Sequence, residues 1–223
     1  MTIKKGDFIE LDFIGRIKDS KEIFDLTKES VARENKIFNP NFSYKPVVIC
    51  VGEGELIKGL DNKLIGKDKG NFEIELNIDE GFGKKNPTLL KLLPMKIFKK
   101  ENLKPFPGLN INLDGVLGTV RSVSGGRVVV DFNHPLSGKE IFFEIEVKRI
   151  IQDNKEKIES IISKASKKYE LSLEKNNLNL KIDLDQKHKD MLKERILKLV
   201  PEIKEVNFQE ALNMKKTKSV TEK

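Results

Sequence analysis

An in–out alternation of apolar residues breaks off at residue 83 and resumes only at Ile141. Phe8-Ile9-Glu10-Leu11-Asp12-Phe13 and Phe72-Glu73-Ile74-Glu75-Leu76 have the period of two expected of strands buried on one face, and Ile141 to Ile150 repeats it. A strand pattern that returns after such a gap predicts a discontinuous domain, residues 1–83 closed by 134–152. The intervening residues 84–133 have their own punctuation. Pro105, Pro107 and Gly108 precede the short alternations Leu109-Ile111-Leu113 and Val116-Val120, and Ser124-Gly125-Gly126 forms a hairpin signal before Val128-Val129-Val130. They read as a small β-rich insert. Within the first segment, Ile57, Leu60 and Leu64 fall at i, i+3 and i+7 and predict one short helix, while Leu26 to Lys45 reads as a long loop.

From Asp153 the period changes. Ile158, Ile161, Ile162 and Ala165 share a helical face, the even positions Leu178 to Leu184 alternate, and Met191, Leu192, Ile196 and Leu199 mark a second helix. A short strand at Val206 and Phe208 follows, and residues 215–223 read as a frayed tail. Residues 153–223 are therefore expected to form a separate α/β module.

Charged residues make up 35% of the chain, against about 25% in an average globular protein. Small modules with thin cores fit that surplus. The formal net charge of +7 is unevenly spread: residues 84–133 hold 9 Lys and Arg against 3 Asp and Glu, whereas residues 1–83 hold 13 against 16. Only 6 of the 42 basic residues are Arg, the side chain suited to bidentate base and phosphate contacts, so specific nucleic-acid binding is not expected. No apolar run approaches the length of a membrane span, and Met1 leads straight into a strand pattern rather than a secretory leader. One cysteine, Cys50, and two histidines, His134 and His188, argue against a disulfide framework or a zinc site. No metal or cofactor is expected, and the compartment is expected to be cytoplasmic.

Several segments match a known family in order. Phe13, the pair Phe24-Asp25, the run Val51 to Gly70 (VGEGELIKGLDNKLIGKDKG), the turn Asp79-Glu80-Gly81-Phe82-Gly83 and the return Val130 to Val147 resemble the FKBP-type peptidyl-prolyl cis-trans isomerases. The insertion after Gly83 and the VDFNHPLSGK return resemble the SlyD-like branch, whose isomerase domain is interrupted by an insert-in-flap chaperone domain. The C-terminal extension resembles that of long archaeal members. The resemblance implies an α+β protein: an FKBP-like antiparallel β half-barrel around a short helix, a small β-rich insert, and a C-terminal α/β domain. It implies a pocket in which Phe13, Asp25, Ile57, Phe82 and Phe143 act on the prolyl bond, Ile57 through its backbone N–H. Phe24, Leu56 and Leu60 would form the walls and floor. It also implies partners: unfolded or nascent polypeptides containing X-Pro bonds.

Two departures stand out. Phe13 and Phe82 occupy positions where the family commonly carries Tyr, so two hydroxyls are missing, each hydrogen bond worth about 0.5–1.5 kcal/mol. A weak to moderate isomerase is expected, and its rival is a holdase with a vestigial site. In the insert, seven apolar residues between Leu89 and Phe98 stand among lysines. A unit this small buries only part of them, and Leu92, Leu93, Met95 and Phe98 are the expected substrate contacts. The terminal module permits either substrate binding or self-association, including a homodimer in which Leu178–Leu184 pairs as an edge strand.

Overall fold

The computed structural model describes residues 2–209; the tail expected at residues 215–223 lies outside the described residues. In chain order the elements are β1 (Phe8–Ile17), β2 (Ile23–Leu26), α1 (Glu29–Glu34), β3 (Val47–Cys50), α2 (Lys58–Leu64) and β4 (Gly70–Leu76). Then come β5 (Leu90–Pro94), α3 (Met95–Lys100), β6 (Asn110–Leu113), β7 (Val116–Ser124) and β8 (Arg127–Asp131). The chain continues with β9 (Ile141–Ile151), α4 (Asn154–Ala165), β10 (Tyr169–Glu174), β11 (Asn177–Ile182), α5 (Gln186–Leu199) and β12 (Glu205–Gln209).

Three sheets result, and the architecture is α+β with mostly antiparallel pairing. The first runs β2-β1-β9-β4, all antiparallel, with β3 sharing the outer edge of β1 with β2. The odd residues of β1 and the Ile141–Val147 stretch of β9 face inward with Ile74 and Leu76, and α2 plugs this concave face through Leu60 and Leu64. No barrel closes. The loop expected from Leu26 to Lys45 contains α1 and a knot in which Phe38 stacks on Tyr44 at 5.5 Å and the Arg33 guanidinium lies 3.7 Å over Phe38.

The second sheet, β5-β8-β7-β6, encloses a core of Phe98, Ile111, Val120, Val128 and Val130. Its entry and exit segments are stitched together. Phe132 N–H donates to the Leu89 carbonyl at 3.0 Å, and Asn86 and Asn133 exchange two bonds. At this neck lies buried Asp131, which accepts from Lys85, Arg121 and Asn133. Burial alone would raise its pKa, but these donors outweigh it and hold the carboxyl well below the usual carboxylate range.

The third sheet, β10-β11-β12, mixes an antiparallel and a parallel pair, with α5 as the crossover from β11 to β12. Asp153 and Asp185 cap α4 and α5 by accepting the N–H of Glu156 and His188. Since β11 pairs with both β10 and β12, it is the central strand of this sheet and not the edge strand expected there. β10 was not foreseen.

The third core recruits residues of the first sheet: Phe8, Cys50 and Ile151 are buried among Ile158, Leu180 and Ile196. A bulge makes this sharing geometrically feasible. Glu10 pairs with Arg149 and Leu11 with Val147, leaving Lys148 as an extra residue in β9. Val147 therefore faces the first core and Ile151 the second. Among the described residues no helix is long and apolar enough to cross a membrane.

Candidate active site

A cavity of about 1410 Å³ opens on the concave face of the first sheet. Its aromatic wall depends on a missing side chain. Gly15 lies opposite Phe143 on β9, and on β2 the bulge at Gly15/Arg16 leaves Phe24 as the extra residue. A Cβ on Gly15 would come within 2.7 Å of Phe24 Cζ and 3.0 Å of Phe143 Cε1. The bare strand is thus the bed on which the two rings rest. Phe24 meets Phe143 edge to face at 5.6 Å and 90°, Phe13 meets Phe143 at 6.1 Å, and Phe24 meets Phe82 at 6.3 Å and 88°. These are the favoured geometries for ring quadrupoles.

Each ring has a backbone reason for its place. The Phe13 N–H donates to Thr27 Oγ1 at 2.9 Å, and that hydroxyl donates to buried Asp12 at 2.6 Å, pinning β1 to β2. Lys148 closes the network with a 2.7 Å bond to Asp12. Phe82 sits in a turn held to α2: a Cβ on Gly59 would lie 2.5 Å from the Glu80 carbonyl oxygen, and Lys63 bonds Glu80 at 2.8 Å. Leu56, Ile57 and buried Leu60 complete the lining. Asp61 fixes the segment before them by accepting the N–H groups of Gly52 and Gly54, while its Oδ1 is buried without a partner. Among the described residues no protein acceptor takes the Ile57 N–H.

Asp25 stands at the rim. It is exposed by area, yet desolvation by the apolar wall raises its pKa above the usual value, and the Leu26 N–H offsets this only in part. His134 belongs to the Asn-His-Pro-Leu turn that precedes β9. It stacks on Phe82 at 4.4 Å and 4° and lines the cavity with Pro135 and Leu136. Its Nδ1 accepts the Leu136 N–H at 3.2 Å, which leaves Nε2 to carry the proton in the neutral ring. The Asn-His-Pro-Leu turn was the available signal, but its closeness to Phe82 is set by tertiary structure alone.

The eight residues expected in the pocket, Phe13, Phe24, Asp25, Leu56, Ile57, Leu60, Phe82 and Phe143, are all brought together around this cavity. The four expected in the insert are not equivalent. Leu92 is 56% exposed, Leu93 and Met95 are half-buried against the insert core, and Phe98 is 2% exposed. Phe98 must be withdrawn as a contact residue: it turns inward on α3 and seals the core formed by Ile111, Val120 and Val128. The open apolar surface of the insert includes Leu103, Phe106, Val116 and Leu117, the last 72% exposed.

The comparisons with known proteins cover up to two thirds of the chain. The family profile described as FKBP-type peptidyl-prolyl cis-trans isomerase matches residues 1–97, and that described as FKBP26, IF domain matches residues 91–136. A short-type peptidyl-prolyl cis-trans isomerase of Methanocaldococcus jannaschii is 35% identical over 149 residues, 66% of this chain and 94% of the relative. The FKBP-type 16 kDa peptidyl-prolyl cis-trans isomerase of Escherichia coli K12 is 32% identical, covering 48% of this chain and 74% of the relative. The SlyD isomerase of Yersinia pestis is 32% identical, covering 51% and 60%.

Proposed function

This chain belongs to the FKBP-type peptidyl-prolyl cis-trans isomerase family and is an isomerase of that class, and we propose that its substrates are X-Pro bonds of unfolded or partly folded polypeptides, which the insert helps to hold. The observation that carries the reading is the convergence of four phenylalanine rings on one cavity with the Asp25 carboxylate at its rim.

The barrier to rotation about a peptide bond, about 18–20 kcal/mol, is the resonance of the amide. No covalent bond needs to form or break. A pocket accelerates rotation by excluding water and by matching the twisted, less conjugated amide better than the planar one. Phe13, Phe24, Phe82 and Phe143 supply the dry wall, and Leu60 the floor. The Ile57 N–H is free to hold a substrate carbonyl, fixing one side of the bond while the other turns. Asp25 faces the prolyl amide as the polar group. With Phe at positions 13 and 82 no ring hydroxyl assists, which fits modest turnover on short peptides. Exposed Leu92, Phe106 and Leu117 favour chain holding, because apolar patches of this kind mark partner surfaces. Tethering then raises the local concentration of prolyl segments at the pocket. The expected compartment is the cytoplasm.

Refolding of a protein limited by prolyl isomerisation tests the reading, with the full chain compared with Asp25→Ala and with a form in which a short loop replaces 84–133. The full chain accelerates refolding; Asp25→Ala lowers kcat/KM about tenfold; the excised form loses acceleration on the protein but keeps it on a prolyl tetrapeptide. A full chain that suppresses aggregation without accelerating refolding would leave a holdase instead. If the ionised carboxylate is the working form, kcat/KM falls as pH drops through the raised pKa of Asp25, and Asp25→Asn abolishes that limb.

A further inference from the structure

The cavity does not end at the prolyl pocket. It continues past the 51–57 segment to the C-terminal unit, where Ala165 on α4, Leu184, and Met191 and Leu192 on α5 line its far end, with His188 and Glu194 of α5 also on the lining. Sites for whole small ligands commonly occupy about 300–1,000 Å³, so 1410 Å³ is far more than one prolyl ring needs. We infer that this far end is a second subsite that takes an apolar side chain of the same polypeptide, a few residues from the proline being turned over. The inference rests on the isomerase reading above.

Three observations support it. Helical periodicity placed Met191 on the buried face of α5 with Leu192 and Ile196, yet it is 58% exposed, toward the cavity rather than into the core. A flexible thioether at such a place accommodates varied side chains. Between the two apolar ends lies a bridge of paired charges. Glu55, whose side chain is 8% exposed, accepts from Arg195 at 2.6 Å, Lys164 at 2.5 Å and the Cys50 N–H at 3.0 Å, and Lys198 bonds Glu53 at 2.6 Å. Charges engaged in pairs, three cations on two carboxylates, suit the polar peptide groups of a chain crossing them. They also clamp both walls to the segment that carries Leu56 and Ile57, so the two subsites keep a fixed spacing. Apolar, polar, apolar along one continuous groove is the pattern an extended chain presents. The occupant is therefore the flank of the substrate, not a separate ligand.

The test uses the full chain and two probes: a prolyl tetrapeptide, and a peptide about 40 Å long when extended with the same X-Pro bond at its centre and Leu or Phe on both flanks. Met191→Glu is expected to weaken the long peptide about tenfold, in KM and in anisotropy-measured affinity, while leaving tetrapeptide kcat/KM within about twofold. Met191→Ala gives a smaller loss in the same direction, and replacing the flanking Leu or Phe by Ser removes the difference between wild type and variant. Unchanged long-peptide affinity in Met191→Glu would overturn the subsite. So would a variant that shifts only oligomeric mass in sedimentation, which would make α5 a contact between copies. If wild type turns over neither probe, the isomerase reading falls alone; the anisotropy comparison still decides the subsite.

Discussion

The insert and the C-terminal unit are attached to the isomerase sheet in opposite ways. Two segments of chain enter and leave the insert, yet its core, Phe98 to Val130, contains no residue of another sheet. One segment leads to the C-terminal unit, but its core takes in Phe8, Cys50 and Ile151 from the first sheet, and three of its cations reach Glu53 and Glu55 beside the pocket. Covalent connection and energetic integration are therefore inversely matched. The insert is fastened at a neck and keeps several apolar side chains in the open; the C-terminal unit is fused through its core and, among the described residues, leaves Met191 as its one exposed large apolar side chain.

Truncation should show the contrast most strongly. Ending the chain after residue 152 uncovers Phe8, Cys50 and Ile151, a loss of about 5 kcal/mol at about 1.5–3 kcal/mol for each large apolar side chain, whereas replacing 84–133 by a short loop should leave the unfolding of the remainder within about 1 kcal/mol of its original value. Comparable losses on urea denaturation would break the comparison. Cys50 provides a probe of the same point. Burial, reinforced by Glu55 and Glu53, pushes its thiol up to about 12. It should be inert to a thiol reagent at pH 8 in the full chain and react in the truncated one.

At the neck the expected effect is smaller. Asp131→Ala removes a buried acceptor of three side chains and should lower stability by about 2 kcal/mol, in the insert alone, with tetrapeptide turnover retained. Because its pKa is depressed in the folded state, the stabilisation is present above the ordinary carboxylate value and is lost as pH falls toward the depressed one. Asp131→Asn should accordingly flatten the acid limb of the melting curve for the insert. Loss of pocket activity in Asp131→Ala would mean that the neck transmits more than attachment.

The smallest effect belongs to the segment between the two units. Desolvation first, then Glu55 and Glu53, raises the pKa of Asp61. A raised acid stabilises the fold below its unfolded pKa and loses that contribution as pH rises through the folded one. Asp61→Asn should therefore raise Tm at pH 7 by about 2–4 °C, with the gain vanishing in acid.

Local periodicity was enough to read the sheet that carries the pocket, because Phe8 to Phe13 and Ile141 to Ile150 bury one face and alternate cleanly. The pocket residues became legible through resemblance rather than pattern, since an isolated Phe13 or Phe143 is indistinguishable from core. Phe98 was misread because its burial comes from strands well beyond it in sequence, and no spacing within Leu89–Phe98 distinguishes the side that faces them. The alternation Tyr169-Leu171-Leu173 was present for β10 but short and half-buried. His134 and Met191 are both placed by contacts distant in sequence: His134 by Phe82 across the insert, within one domain, and Met191 by the groove beside Glu55, between two units.

The extra residue at Lys148 has a consequence for how such proteins can be recombined. With two-residue periodicity, Val147 and Ile151 would share a face if β9 were regular, and only the bulge puts them on opposite sides. A chimera that joins this terminal unit to an isomerase strand one residue shorter would turn Ile151 away from its core and present a neighbour such as Ile150 or Gln152 in its place. A junction that looks permissive by alignment would therefore fail by parity, and restoring a single inserted residue upstream of the seam should rescue it.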